Sequence, residues 1–71
     1  MIHAGKTIAV FRYAQNLSQR QFAERIGVKK STQNKFEQQR SVQLETLEMI
    51  AEMFGLTLVQ LLNEYGVYVD A

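Results

Sequence analysis

The stretch from Ser18 to Glu37, SQRQFAERIGVKKSTQNKFE, holds two short amphipathic segments on either side of Gly27. Glycine takes a left-handed backbone conformation at little cost and is favoured just past a helix end, so Gly27 predicts a sharp turn between two helices. In the first segment Phe22, Ala23 and Ile26 fall at i, i+1 and i+4, one helical face, and Ser18 is placed to cap it. Val28 anchors the turn, and Phe36 is the inward residue of a second helix read from about Lys30 to Glu37. Ala23 is small where two steeply crossing backbones must approach. The outer face of the second helix is left with Lys30, Ser31, Asn34 and Lys35.

Helical spacing continues on both flanks. A first helix is expected from Ala4 to Gln15, with Ile8 and Phe11 on one face, Val10 and Tyr13 as a second apolar stripe, and Asn16 ending it. After the loop Gln38-Gln39-Arg40-Ser41, a fourth helix carries Leu44, Leu47, Ile50, Ala51 and Phe54 and closes at Gly55. Thr57 and Gln60 form a capping-box pair opening a fifth helix, which buries Leu58, Leu61 and Leu62 and ends at Gly66. The tail Val67-Tyr68-Val69-Asp70 alternates and is rich in β-branched residues, so it reads as a short strand. Such a strand has no evident partner in a helical chain. It frays, lies as an extended arm, or pairs with its own copy. The expected fold is all-α: a compact five-helix domain over residues 1–71, with the helix-turn-helix at 18–37 and a tail strand at about 67–70 that is free to pair across a dimer.

Composition narrows the chemistry. At 71 residues the chain is near the lower limit for a single unaided core, and 46% hydrophobic content without proline suits a helical domain. The absence of cysteine removes disulfides and thiolate ligands and suits a reducing compartment. His3, near the amino end, is expected to be solvated, and neither a metal nor a cofactor site follows. No apolar run approaches the roughly 18 residues of a membrane span, and no signal peptide is visible, so a cytoplasmic place is expected.

The net charge of +1 conceals a polarised distribution. All eight basic residues (Lys6, Arg12, Arg20, Arg25, Lys29, Lys30, Lys35, Arg40) lie in the first forty positions against Glu24 and Glu37, a balance of +6. The remaining 31 residues hold Glu45, Glu48, Glu52, Glu64 and Asp70 and no base, a balance of −5. A cationic half is the electrostatic footprint of a polyanion partner. Glu45, Glu48 and Glu52 read as a solvated stripe. No histidine beside a carboxylate, cysteine nucleophile or phosphate-cradling glycine loop is present, so an enzyme is not expected.

A helix presented by a steep turn, with long polar and cationic side chains outward, is the arrangement that enters the DNA major groove. The stretch resembles the lambda-repressor/Cro-like helix-turn-helix family, and the likeness extends beyond the motif. LSQRQFAERIGV is similar to that family's second helix and turn, and LETLEMIAEMFGLTLVQLL to its fourth and fifth helices, so Ile8 to Leu62 is covered. Arg12 and Glu37 match positions where members join the first helix to the end of the third by an arginine–carboxylate pair. The resemblance implies that Lys30, Ser31, Asn34 and Lys35 read bases, lysine donating to guanine O6 and N7 and asparagine pairing with adenine N6 and N7. Gln19 matches a position that touches a phosphate or braces a recognition residue. Arg20, Lys29, Gln38 and Arg40 flank the groove and are expected on the phosphate backbone.

A domain this small makes few base contacts, so a homodimer on a palindromic operator is expected, acting as a repressor. Its interface is expected in the acidic half: Met53, Val59, Asn63 and the strand Val67, Tyr68 and Val69. The alternative is an antitoxin that binds a toxin protein and autoregulates its operon. Two positions depart from the family pattern. Lys29 replaces the small hydroxyl or amide residue that usually caps the third helix, and Gln33 replaces an apolar residue between the two helices. Gln33 is expected either to hydrogen-bond nearby backbone, to loosen the third helix, or to sit half exposed.

Overall fold

A computed structural model describes residues 1–70, which form five helices: α1 (Ala4–Ala14), α2 (Gln19–Ile26), α3 (Lys30–Gln38), α4 (Leu44–Met53) and α5 (Leu58–Tyr65). The local signals act as expected at most ends. Ser18 and Thr57 each accept from the backbone N–H three residues on, while Gln21 and Gln60 reach back, so both capping boxes are closed. Asn16 has φ 59° after α1, and Gly27 and Gly55 have φ 82° and 75° after α2 and α4. Gly66 ends α5 with an ordinary extended backbone at φ −61°.

The core gathers Ile8, Phe11, Phe22, Ile50, Ala51 and Leu61, all fully buried. Phe11 is its centre. Its ring meets Phe22, Phe54 and Tyr65 edge-on at 6.0, 5.0 and 5.0 Å between centroids, and Phe22 stacks on Phe54 at 5.2 Å. Edge-to-face and stacked aromatic pairs add about 0.5–1.5 kcal/mol each beyond the area they bury. Three expected core positions lie further out. Leu44, in the first turn of α4, is exposed, and Leu58 and Leu62 are only half-buried, because α5 turns a single row, centred on Leu61, to the core. The Arg25 guanidinium lies 4.6 Å over the Phe54 ring and so covers the edge of this aromatic cluster. No helix is long and apolar enough to cross a membrane.

The tail has a partner within the chain. Ile2 and Tyr68 form an antiparallel bridge, flanked by His3 N–H donating to the Val67 carbonyl and Val69 N–H to the Met1 carbonyl, each at 2.8 Å. Thr7, fully buried, donates its hydroxyl to the His3 carbonyl and accepts from Val67 N–H, pinning both ends of the chain to α1. His3 is likewise not a solvated residue on a loose end: its Nδ1 accepts from Lys6 N–H and caps α1.

The first turn of α1 also closes on the end of α3. Ala4 N–H donates to the Arg40 carbonyl and Gly5 N–H to the Gln39 carbonyl, both at 2.9 Å. Unsatisfied donors at one helix start thus meet carbonyls just past the end of another. The approach leaves no room for a side chain, since a Cβ on Gly5 would lie 2.5 Å from the carbonyl oxygens of both Gln39 and Glu37. Gly5→Ala is therefore expected to destabilise the domain by about 1–3 kcal/mol. At roughly 4–8 °C per kcal/mol for a domain of this size, thermal unfolding measures it directly.

Candidate nucleic-acid interface

Gly27 in the left-handed region, with Val28 N–H donating to the Ala23 carbonyl, swings the chain from α2 into α3. Ala23 is buried at the crossing, as its size requires. The α3 helix then carries Lys30, Ser31, Asn34 and Lys35 on one exposed face, in two i, i+4 pairs. Arg20, Lys29, Gln38 and Arg40 are also exposed, Arg20 and Lys29 near the helix starts, Gln38 and Arg40 at the far end of α3. The positive half of the chain therefore presents an accessible cationic surface centred on the outer face of α3.

The start of α3 has no side-chain cap at Lys29, so its first N–H groups meet solvent or a ligand. The inner face of the helix is held largely by polar contacts. Arg12 on α1 and Glu37 on α3 form a bidentate pair, Nε to Oε2 at 2.7 Å and Nη2 to Oε1 at 3.0 Å, with each side chain only 8% exposed. The remaining Arg12 nitrogen, Nη1, donates to the Leu17 carbonyl at 2.9 Å. The arginine–carboxylate brace implied by the family resemblance is thus present.

Gln33 is fully buried, so it is not half exposed, and it bonds a side chain in place of the backbone the sequence suggested. Nε2 donates to Glu37 Oε2 at 2.7 Å, a side chain one turn ahead on the same helix, while Oε1 has no partner. An unsatisfied buried oxygen costs on the order of 1–3 kcal/mol, so half of the amide opposes the packing that the other half supports. Gln19 completes the cluster, its Nε2 donating to Glu37 Oε1 and to Asn34 Oδ1, each at 3.2 Å. Glu37 therefore receives four hydrogen bonds from three residues. Burial pushes the Glu37 carboxyl up, but the bonds from Arg12, Gln33 and Gln19, together with the Arg12 charge, hold it below its ordinary value. The hub role of Glu37 was missed in the sequence, although Gln33 and Glu37 stand at i, i+4 and invited it.

The fold and this exposed cationic helix define a helix-turn-helix DNA-binding domain. A helix-turn-helix family profile matches residues 8–67, most of the chain. The chain belongs to the lambda-repressor/Cro-like helix-turn-helix family, whose members are DNA-binding regulators of transcription. No curated protein and no solved structure matches it.

A carboxylate with a depressed folded-state value gives stability that is complete above its unfolded value and is lost as pH falls through the folded one. For Glu37 that window opens below the ordinary 4.5. Glu37→Gln leaves Arg12 buried without its counter-charge, a loss on the order of 3 kcal/mol near neutrality. The difference in unfolding free energy between the two proteins should shrink as pH falls below 4.5, which denaturant titrations across pH 3–7 measure.

Proposed function

We propose that the chain is a sequence-specific repressor that binds a palindromic operator as a homodimer through α3. The observation that carries this reading is the exposed face Lys30, Ser31, Asn34 and Lys35 on a helix raised by the Gly27 turn, within a half of the chain carrying +6. In this reading Lys30, Ser31, Asn34 and Lys35 meet base edges. Arg20, Lys29, Gln38 and Arg40 grip phosphates on either side, and Gln19 adds its backbone N–H at the start of α2. Lys29 suits that role: its missing cap leaves α3 N–H groups for a phosphate, which would also offset a lysine at a helix start.

Selection of bound sequences from random DNA tests the assignment. Lys30→Ala and Lys35→Ala should each erase the preference at one or two base positions, a loss of about 1–3 kcal/mol there, and leave the rest of the consensus. A consensus untouched by both changes would remove the base-reading assignment.

The dimer surface is proposed in the acidic half. Met53, Val59 and Tyr68 are exposed apolar residues, with Asn63 exposed beside them on α5 and Val67 and Val69 half-buried. The bridge supplies a register. Ile2 and Tyr68 form a non-hydrogen-bonded pair, so the backbone N–H and C=O of Tyr68 turn to the opposite edge, and neither is bonded among the described residues. A second copy placed there would exchange both groups with its own Tyr68, a self-complementary contact suited to a two-fold axis. Deleting residues 67–71 should convert dimer to monomer in sedimentation and weaken operator binding; a truncated chain that stays dimeric would rule the strand out.

A second reading, an antitoxin that also docks a toxin protein, draws on Val10 and Tyr13. They remain exposed on α1 at 42% and 69%, an apolar stripe in which the Tyr13 ring lies 4.4 Å under the Arg12 guanidinium. A toxic product of the adjoining gene, neutralised by the wild-type chain and not by Val10→Asp, would support it.

A further inference from the structure

Side-chain amides have a donor end and an acceptor end, and which end faces DNA decides which bases they accept. Glu37 decides this for Asn34. A carboxylate only accepts hydrogen bonds, so it can hold Gln19 only by the amide nitrogen, and the 3.2 Å contact from Gln19 Nε2 to Glu37 Oε1 has that polarity. Arg12 fixes the ionised state of Glu37 by its own bidentate bond. The second hydrogen of Gln19 Nε2 then points to Asn34, which can answer only with its oxygen, and Oδ1 is the atom found 3.2 Å away. The Nδ2 group is the end of Asn34 left outward on the exposed face of α3.

From this chain of polarities we propose that Asn34 is a specificity-determining residue preset as a donor, selecting a keto base edge, guanine O6 or thymine O4, against adenine and cytosine. The inference rests on α3 lying in the major groove and refines it. Pairing of asparagine with adenine requires Oδ1 to accept from N6–H, and that oxygen is turned inward to Gln19. N7 accepts in guanine and adenine alike, so the choice is made beside it, where adenine N6, like cytosine N4, brings an amino donor against the Nδ2 donor. Gln19 and Glu37 act as positioning residues: they touch no base in this scheme, and orient the one that does. Arg12, further back, sets the direction of the whole relay.

The test is selection from random DNA with the wild-type chain, Asn34→Asp and Gln19→Met. The wild-type base column assigned to position 34 should hold guanine or thymine, with adenine and cytosine disfavoured by about tenfold or more. Asn34→Asp keeps the shape, still accepts from Gln19 and presents an acceptor outward, so that column should turn to cytosine or adenine. Gln19→Met removes the brace, and Asn34 becomes free to rotate. Adenine should then rise to within about threefold of guanine in that column, while the columns set by Lys30 and Lys35 stay unchanged. A purely structural role for Gln19 would weaken all columns together, and that result overturns the relay. So does a wild-type column of adenine, or an Asn34→Asp column identical to wild type. Asn34 is exposed, so its variant carries the test even where Gln19→Met does not fold. If the wild-type chain selects no sequence at all, the groove-binding reading falls as well. A clear wild-type consensus with an unaltered column in both variants overturns the relay alone.

Discussion

The orientation of α3, the helix proposed to face DNA, depends on one buried ion pair. Arg12 and Glu37 give up their hydration, a cost of several kcal/mol per ion, and recover it through a bidentate contact and the further bonds each makes. Such a pair adds little over a well-packed apolar alternative, but breaking it leaves a stranded charge, so its geometry is enforced. The consequence falls on α3, because Gln33 is the only one of its residues that is fully buried and Phe36 is half-buried. A helix with so little apolar anchorage takes its position from the polar contacts at its base.

Support along α3 is uneven. At its carboxyl end Gly5 and Ala4 donate to the carbonyls of Gln39 and Arg40, tying the helix to α1 at backbone distance. At its middle, Gln33 and Glu37 are joined to Arg12 and Gln19. At its amino end there is a left-handed glycine, an uncapped turn and two lysines. Local stability follows buried contacts and satisfied backbone groups, so it declines toward Lys30 and Ser31. The residues proposed to read bases thus straddle a firm half and a loose half of one helix. Asn34 belongs to the firm half, and this is why a fixed amide polarity is available there and not at Lys30, whose charge is only a donor in any rotamer.

Most of the fold was legible because it is written in local chemistry. Caps at Ser18 and Thr57, turns at Asn16, Gly27 and Gly55, and the apolar spacing around Phe11, Phe22 and Ile50 each act within a few residues. The bridge between Ile2 and Tyr68 was not legible, because a pairing between residues at opposite ends of the chain leaves no periodic signal. His3 was misread for the same reason: its capping role depends on α1 beginning at Ala4, held there by carbonyls from the loop after α3. At the interface the exposed polar face followed directly from helical spacing. The state of Gln33 did not, since a buried glutamine is compatible with any partner that three-dimensional packing supplies.

Glu37 and Asn34 show why polar packing beneath this helix has a use that an apolar core would lack. An isoleucine at 33 would hold α3 by contact alone and would leave Glu37 with Arg12 and Gln19. The glutamine adds a donor on the Oε2 side of the carboxylate, and Gln19 is left to occupy the Oε1 side, toward Asn34. A hydrophobic contact carries no sign. A chain of hydrogen bonds does, and here it runs from a cation in α1, through an anion in α3 and an amide in α2, to a surface amide on the cationic face. The unpartnered Gln33 oxygen is the cost left standing in that arrangement. It places the least satisfied atom of the core directly beneath the helix on which DNA recognition is proposed to depend.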